Sequence, residues 1–144
     1  MHVLSHGPHD ASQTSDPKTC ERPPRHTEAL MITKSLDASW HELIPGIRIS
    51  TLVHGEQTLM TRFLLQAGTT LPMHSHPHEQ TGYLIKGRLT LTIDGVDHDI
   101  EPGDSWTIAS GVEHGAVVRE TALAIEVFSP VREDYLPYAP TARR

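Results

Sequence analysis

Cysteine is almost absent from this chain, in which Cys20 is the single example among 144 residues. One thiol can form neither an internal disulfide nor a thiolate-rich zinc site, which fits a reducing compartment. Long apolar runs are absent as well, since none approaches the roughly 20 residues of a membrane-spanning helix. The amino terminus also lacks the basic and apolar segments of a signal peptide. We therefore expect a cytoplasmic protein without a membrane segment.

Basic residues are few, with 12 Lys and Arg against 18 Asp and Glu, so the net charge is -6 when His is counted as neutral. Nucleic-acid binding requires a basic face that displaces counterions from phosphates. We therefore expect no nucleic-acid partner. The apolar fraction of 37% is enough for one packed core in a chain of this length.

Residues 1–28 have no hydrophobic period and are rich in Ser, Thr, Pro, His and Asp. Such a segment buries too little apolar surface to offset the entropy lost on ordering. The sequence therefore predicts a flexible tail over 1–28 and one domain over 29–144. The tail histidines are expected to be solvated and without a role, although they can bind metal in an assay; they are His2, His6, His9 and His26.

From Met31 onward, short apolar runs alternate with Gly, Pro and Asp-Gly, and no window keeps the period of a long helix. This pattern predicts an all-β domain whose strands cover 48–53, 59–65, 82–86, 88–93, 96–100, 105–108, 115–118 and 123–128. Asp94-Gly95 predicts a two-residue type I′ hairpin, because that turn needs positive φ at both central positions. Eight short antiparallel strands favour a jelly-roll barrel, followed by one helical turn near 132–136.

Histidine is concentrated at His74-Ser-His76, and a third candidate follows at Gly111-Val-Glu-His114. Alternate side chains of a strand point to the same side, so both imidazoles of an H-x-H pair can reach one ion. Imidazole nitrogens are typical ligands of borderline divalent metals. The pattern therefore predicts a metal site.

The spacing of these residues resembles that of cupins. The first cupin motif, G-x5-H-x-H-x3-E-x6-G, aligns with Gly68, His74, His76, Gln80 and Gly87. The second, G-x5-P-x-G-x2-H-x3-N, aligns with Gly103, Gly111 and His114, while Ala109 and Val118 replace its proline and asparagine. The resemblance implies a cupin jelly-roll barrel over roughly residues 36–136 and one divalent ion held by His74, His76, Gln80 and His114. Zn, Ni, Mn, Co and Fe(II) are all candidates.

Gln80 stands where the cupin motif has glutamate. A neutral amide should leave the metal a stronger Lewis acid and less suited to redox chemistry. Two neighbours are alternative ligands, but the motif count to Gly87 selects Gln80 over Glu79, and a ligand at His78 would misplace both motif glycines. We expect His78 to lie beside the site or at the surface.

The last predicted strand and the turn that follows it carry a second set of polar and aromatic residues, Glu126, Phe128 and Arg132. By the period of two, Glu126 and Phe128 share a face, and an acid on a core face is costly unless it is paired or functional. Apolar residues alternate on both faces, so either face can be the inner one, and we favour the interior for Glu126. Trp106 and Tyr83 are expected in the core.

The ligand set His, His, Gln, His with an acid-x-Phe-x3-Arg segment resembles KdgF-type cupins of pectin and alginate catabolism. The resemblance implies ring opening of a 4,5-unsaturated uronate, a small anionic sugar, to a linear keto-uronate. Glu126 would shuttle the proton, Arg132 would grip the substrate carboxylate in a bidentate fork, and Phe128 would pack on the sugar. The family has aspartate where this chain has Glu126, and the extra methylene changes the reach of the carboxylate.

Two other functions fit the same residues: an Fe(II)-dependent cupin dioxygenase and a non-catalytic cupin that binds a small molecule. Oxygen consumption during turnover identifies the first, and the absence of stoichiometric metal from the tail-deleted protein favours the second. Cupins of this size also pair by strand exchange, and residues 31–33 supply a candidate strand. We therefore expect a homodimer, with an ordinary first strand of the barrel as the alternative role of 31–33.

Overall fold

A computed structural model describes residues 30–141. The tail predicted over 1–28 lies outside these residues. The described part contains eight strands and two short 3-10 helices, Ser35–Asp37 and Glu133–Tyr138. The strands are β1 His41–Ile44, β2 Ile47–His54, β3 Leu59–Leu65, β4 Thr70–His74, β5 Glu79–Ile93, β6 Val96–Ile100, β7 Ser105–Ile108 and β8 His114–Ser129. The all-β jelly-roll prediction is confirmed.

Two long strands, β5 and β8, organise the antiparallel sheet. The second half of β8 pairs with β3 and with the first half of β5, which also pairs with β7. The first half of β8 pairs with β4 and with the second half of β5, which continues to β6. β2 and β1 extend the sheet beyond β3. Both long strands therefore run from one wall of the barrel to the other.

The core is formed by alternate residues of these strands. Period-two burial is clearest in β3, where Leu59, Thr61, Phe63 and Leu65 are buried. In β8 the residues with the same parity, from Ala122 to Phe128, face the same interior. Burial of apolar side chains contributes about 25 cal/mol per Å² of apolar surface, so this continuous inner face stabilises the barrel. The inner face also decides which side chains meet in the cavity.

The structure merges strands that the sequence separated. The predicted strands 82–86 and 88–93 form one continuous strand, β5. The predicted strands 115–118 and 123–128 form another, β8. Gly87 has φ of 89°, and the β5–β8 register shifts on both sides of it. A Cβ at Gly87 would collide with the Thr121 carbonyl and Ala122 Cα. Glycine here therefore permits a bend within the strand where we expected an interruption.

Two short strands, β1 and β4, were missed. β4 contains Pro72 and, among the described strands, pairs only with β8; proline is tolerated at such an edge position. β1 has only four residues and no clear alternation of burial. The local sequence pattern is weak in both segments. Each is a strand because it pairs with a neighbouring strand.

Other local predictions have clear outcomes. The Asp94-Gly95 hairpin is confirmed, with φ of 49° and 77°. The helical turn near 132–136 is a 3-10 helix at Glu133–Tyr138. Residues 31–33 form no strand within this chain, and Met31 is 94% exposed. The alternative prediction, that they are the first strand of the barrel, is therefore wrong. The homodimer stays a prediction.

Among residues 30–141, no helix has the length and hydropathy needed to cross a membrane.

Candidate metal and small-molecule site

Three histidines meet at one end of the barrel. His74 is the last residue of β4 and His114 the first of β8, and the two are direct cross-strand partners. His76 follows in the connection to β5. One ring nitrogen from each of the three lies within 4.8 Å of the others. The strand-alternation argument does not cover His76, because β4 ends before it; the connection places its ring beside the other two.

Each of these histidines is oriented by a backbone carbonyl. The Nδ1 atoms of His74, His76 and His114 lie 2.9, 2.9 and 2.8 Å from the carbonyl oxygens of Pro72, His78 and Val112. A carbonyl oxygen only accepts hydrogen bonds, so each Nδ1 carries the proton. In the neutral ring, each Nε2 therefore presents a lone pair, which is the arrangement that metal-binding histidines use.

Among the described residues, two of these three lone pairs, those of His76 and His114, have no protein donor. His114 Nε2 is buried and has no hydrogen-bond partner within residues 30–141. His76 Nε2 lies 2.8 Å from Gln80 Oε1, while the Gln80 amide N–H donates to Glu126 Oε1 at 3.1 Å. Two acceptors thus face each other, which is favourable when a cation binds both. The three histidines and Gln80 therefore fit a divalent metal ion.

The protonation state of the histidines also suits metal binding. Burial lowers the pKa of His76, and the Arg132 and His114 charges lower it further. Burial also lowers the pKa of His114, against the opposing hydrogen bond to Val112. Both imidazoles are therefore mainly neutral at pH 7 in the protein without bound ions. A metal binding there has no proton to displace from these two residues.

Glu126 points into the barrel from the centre of β8. Its cross-strand partners are Thr61 on β3 and Gly82 on β5, both on the inner face. The carboxyl Oε1 accepts hydrogen bonds from Gln80 Nε2 and, at 3.2 Å, from Trp106 Nε1. Burial raises the pKa of Glu126 from 4.5 to about 7, although both donors and the Arg132 charge oppose the rise. Near neutral pH this group can both donate and accept a proton.

Arg132 lies beside the carboxyl after the end of β8. Its guanidinium carbon is 3.9 Å from the ring centroid of Tyr135 and 5.1 Å from that of Phe128. Its Nε and Nη2 donate to the Asp134 carboxylate at 3.0 and 2.8 Å, and this pairing holds the pKa of Asp134 below its usual value. Tyr135, Phe128 and Asp134 therefore hold the guanidinium. Nε and Nη2 pair with Asp134, which leaves Nη1 outside this pair.

Many of these residues line one cavity of about 70 Å³ inside the barrel, although His76 and Asp134 are not among them. Apolar side chains from β2, β3, β5 and β8 form most of its wall. The polar groups in the wall are His74, Gln80, His114, Glu126 and Arg132. A mainly apolar cavity with a few converging polar groups is the common form of a small-molecule site. The structure thus brings the ligand candidates together with Glu126, Phe128 and Arg132.

Residues near the site depart from our expectations in two cases. Tyr83 was expected in the core but is 49% exposed on the outer face. Trp106 packs against the core as expected, but it also lines the cavity and hydrogen-bonds Glu126, which no local pattern indicated. Glu79 is exposed while Gln80 is buried, and His78 contributes its carbonyl to His76. Asp134 was missed, and its only sequence signal is its position two residues after Arg132.

The strand order and the site together define the class of protein: the chain is a cupin by fold, with a histidine triad capable of binding one metal ion. A family model described as "Cupin domain" matches residues 61–129, which include every site residue named above except Arg132 and the residues after it. A solved RmlC-like cupin from Shewanella frigidimarina superposes with a TM-score of 0.72 at 25% identity, covering 76% of this chain and 98% of that one.

Among cupins, the chain resembles KdgF. It is 28% identical to the pectin degradation protein KdgF of Dickeya dadantii over 102 residues, which are 69% of this chain and 93% of that protein. The solved structure of KdgF from Halomonas sp. superposes with a TM-score of 0.70 at 28% identity. That comparison covers 73% of this chain and 97% of the Halomonas protein. The similarity therefore extends over nearly the whole length of both relatives.

Proposed function

We propose that this protein is a metal-dependent enzyme that opens the ring of a 4,5-unsaturated uronate and forms the linear keto-uronate. The observation that carries the proposal is one cavity whose wall contains His74 and His114 of the histidine triad, the Glu126 carboxyl and the Arg132 guanidinium. Similarity to two proteins named KdgF, one of them named for pectin degradation, supports an acidic sugar as substrate.

Four side chains would hold the metal: His74, His76 and His114 through Nε2, and Gln80 through Oε1. When bound, a divalent ion supplies a Lewis acid that stabilises negative charge developing on substrate oxygens. All four ligands are neutral, so none of them offsets the positive charge of the ion. This ligand set favours polarisation over a change in oxidation state.

The reaction requires only the movement of a proton and of electron pairs. In the substrate, the ring oxygen joins C1 to C5, and C4 and C5 share a double bond. Loss of the proton from the C1 hydroxyl forms a carbonyl at C1 while the bond from C1 to the ring oxygen breaks, which leaves an enolate at C5. Protonation of C4 then gives the ketone at C5. The product is an isomer of the substrate, and no oxidant or reductant takes part.

Glu126 is the group that carries this proton. Its carboxyl is fixed at Oε1 by Gln80 and Trp106, and it lines the cavity. A carboxylate takes the proton from the C1 hydroxyl, and the resulting acid returns it to C4. Proton transfer by a positioned side chain contributes roughly 10²–10⁴-fold to a rate.

Arg132 binds the substrate in this proposal, and Phe128 forms part of the cavity wall. The Nε and Nη2 atoms of Arg132 already pair with Asp134, so the sugar carboxylate would meet the guanidinium edge that ends in Nη1. One of the two edges of the guanidinium is therefore already occupied before substrate binds. Phe128 is 1% exposed and contacts the His76 ring, so it packs the wall between the triad and Arg132 and keeps water out.

Incubation with lyase-generated unsaturated uronate tests the proposal, with loss of the alkene's ultraviolet absorbance as the readout. The metal-loaded chain should remove the absorbance, and chelation should stop it. Glu126→Gln should lower turnover at least about tenfold and leave the metal content unchanged. Glu79→Gln, at the exposed position next to Gln80, is the matched control and should keep full turnover.

The remaining outcomes separate this proposal from its alternatives. Absorbance that stays constant with metal-loaded protein contradicts uronate ring opening. Oxygen consumption during turnover instead indicates the dioxygenase. If wild type and His114→Ala bind the same amount of metal, the metal lies outside the triad, and the non-catalytic function is supported.

A further inference from the structure

The Glu126 carboxyl is held by two donors that approach the same oxygen. Gln80 Nε2 and Trp106 Nε1 lie 3.1 and 3.2 Å from Oε1. Within residues 30–141, no donor hydrogen-bonds Oε2. One oxygen is therefore fixed by the protein, and the other is left for a group in the cavity.

The two donors differ in what else they bind. The Gln80 amide oxygen faces His76 at 2.8 Å, so its orientation depends on the histidine cluster and on whatever binds there. The indole N–H of Trp106 has one hydrogen and one acceptor, Glu126. Trp106 is thus the donor that holds the carboxyl independently of the triad.

Gly82 explains how an indole on β7 reaches an acid on β8. Gly82 lies on β5 between them and is the cross-strand partner of both Trp106 and Glu126. Its missing side chain leaves a gap on the inner face, and the indole lies across that gap. A Cβ on Gly82 would overlap Cε2, Cζ2 and Nε1 of Trp106. Its φ is outside the left-handed range, so the space, and not the backbone conformation, requires glycine here.

We propose that Trp106 is a positioning residue for Glu126 and that Gly82 provides the space for it: together they hold Oε1 toward β7 and leave Oε2 to the substrate. This inference rests on the proposed role of Glu126 in proton transfer. A carboxyl that can rotate presents either oxygen, in several geometries, whereas the bonded carboxyl presents one. Loss of the indole N–H should therefore reduce the rate of the chemical step more than substrate affinity.

A double-mutant cycle in the full-length, metal-loaded chain tests the coupling. Trp106→Phe keeps an aromatic ring without the N–H and should lower kcat by ~10-fold, as expected for a hydrogen bond to a charged group, while KM changes little. In the Glu126→Gln background, the same substitution should change kcat by less than about twofold, since the group to be positioned no longer transfers a proton. An equal loss in both backgrounds would show that Trp106 acts only by packing and would overturn the proposal.

Gly82→Ala supplies an independent variant. It should lower kcat as Trp106→Phe does, because the added methyl displaces the indole. Gly82→Ala combined with Trp106→Phe should be no worse than Trp106→Phe alone, since the overlapping Nε1 is removed and the smaller ring can shift away. A double variant much worse than either single one contradicts the role given to Gly82. If Gly82→Ala fails to fold, the cycle at Trp106 still decides.

The indole N–H resonance in proton–nitrogen NMR provides a readout without turnover. The chain has two tryptophans, and Trp40→Phe assigns the signals. Glu126→Gln replaces a carboxyl acceptor by a weaker amide acceptor, so the Trp106 signal should move upfield while that of Trp40 stays. An unmoved Trp106 signal overturns the positioning. If no uronate is converted but the signal moves, the proposed reaction fails and the Trp106–Glu126 bond stands.

Discussion

Replacement of Glu126 by glutamine should change how the stability of the metal-free protein depends on pH. Glutamine keeps the size of the side chain and an oxygen that accepts from Trp106 and Gln80, but it does not titrate. Burial raises the pKa of Glu126 from 4.5 to about 7. Between these values the folded wild type keeps a proton that the unfolded chain releases, so wild-type stability falls as pH rises.

The size of the effect follows from the same pKa. Each tenfold change in a protonation equilibrium is worth about 1.4 kcal/mol, so the raised pKa corresponds to about 3 kcal/mol lost above pH 7. Glu126→Gln removes this loss. The free energy of unfolding of the variant, relative to wild type, should therefore rise by about 3 kcal/mol between pH 4.5 and pH 8 and stay constant at higher pH.

Urea unfolding of both chelator-treated proteins across this pH range provides the measurement, with Glu79→Gln as the exposed control. The control should follow the wild-type profile. A difference between Glu126→Gln and wild type that does not vary with pH would refute the reasoning, because the carboxyl would then titrate as it does in the unfolded chain. Added divalent metal should reduce the difference, because a nearby cation favours the ionised carboxylate.

Three further predictions address other parts of the site. His114→Ala should remove about one equivalent of bound metal from the full-length chain, measured against His78→Ala, which should retain it; the tail histidines are present in both variants, so an equal content would place the metal elsewhere. Asp134→Asn should raise KM for a carboxylated substrate several-fold with little change in kcat, because Arg132 loses the partner that orients it; an unchanged KM would exclude that role. Gly87→Ala should destabilise the fold by roughly 1–3 kcal/mol or more, since it combines a positive φ with a collision against Thr121 and Ala122; urea unfolding that matches wild type would contradict this account of the bend.

Several features could be predicted because their cause is local. The positions of Gly68, Gly87, Gly103 and Gly111 in the motifs correspond to residues with positive φ, which glycine adopts at little cost. Asp94-Gly95 likewise specifies its hairpin. The motif spacing identified four residues that the fold brings together: His74, His76, Gln80 and His114. Their role as ligands stays a prediction. The homodimer and the cytoplasmic location also stay predictions, and the sequence left the identity of the metal open.

The orientation of Glu126 depended on the whole barrel. Its strand carries apolar residues on both faces, so period two alone does not select the inner one. Pairing with β3 and β5 selects it, because Glu126 shares its row with buried Thr61 and Gly82. The rise in its pKa has the same origin, since burial by distant strands causes it. Neither property exists in an isolated strand.

Features that depend on neighbouring residues could be inferred from the sequence: strand periodicity, turn glycines and the order of candidate ligands. The tertiary structure alone decided which residues meet across strands. Trp106 reaches Glu126 across Gly82, and Asp134 holds Arg132 against Tyr135. Such contacts join residues that are far apart in the chain or that a local turn reorients, and their energies depend on burial, which is a property of the folded barrel and not of any short segment.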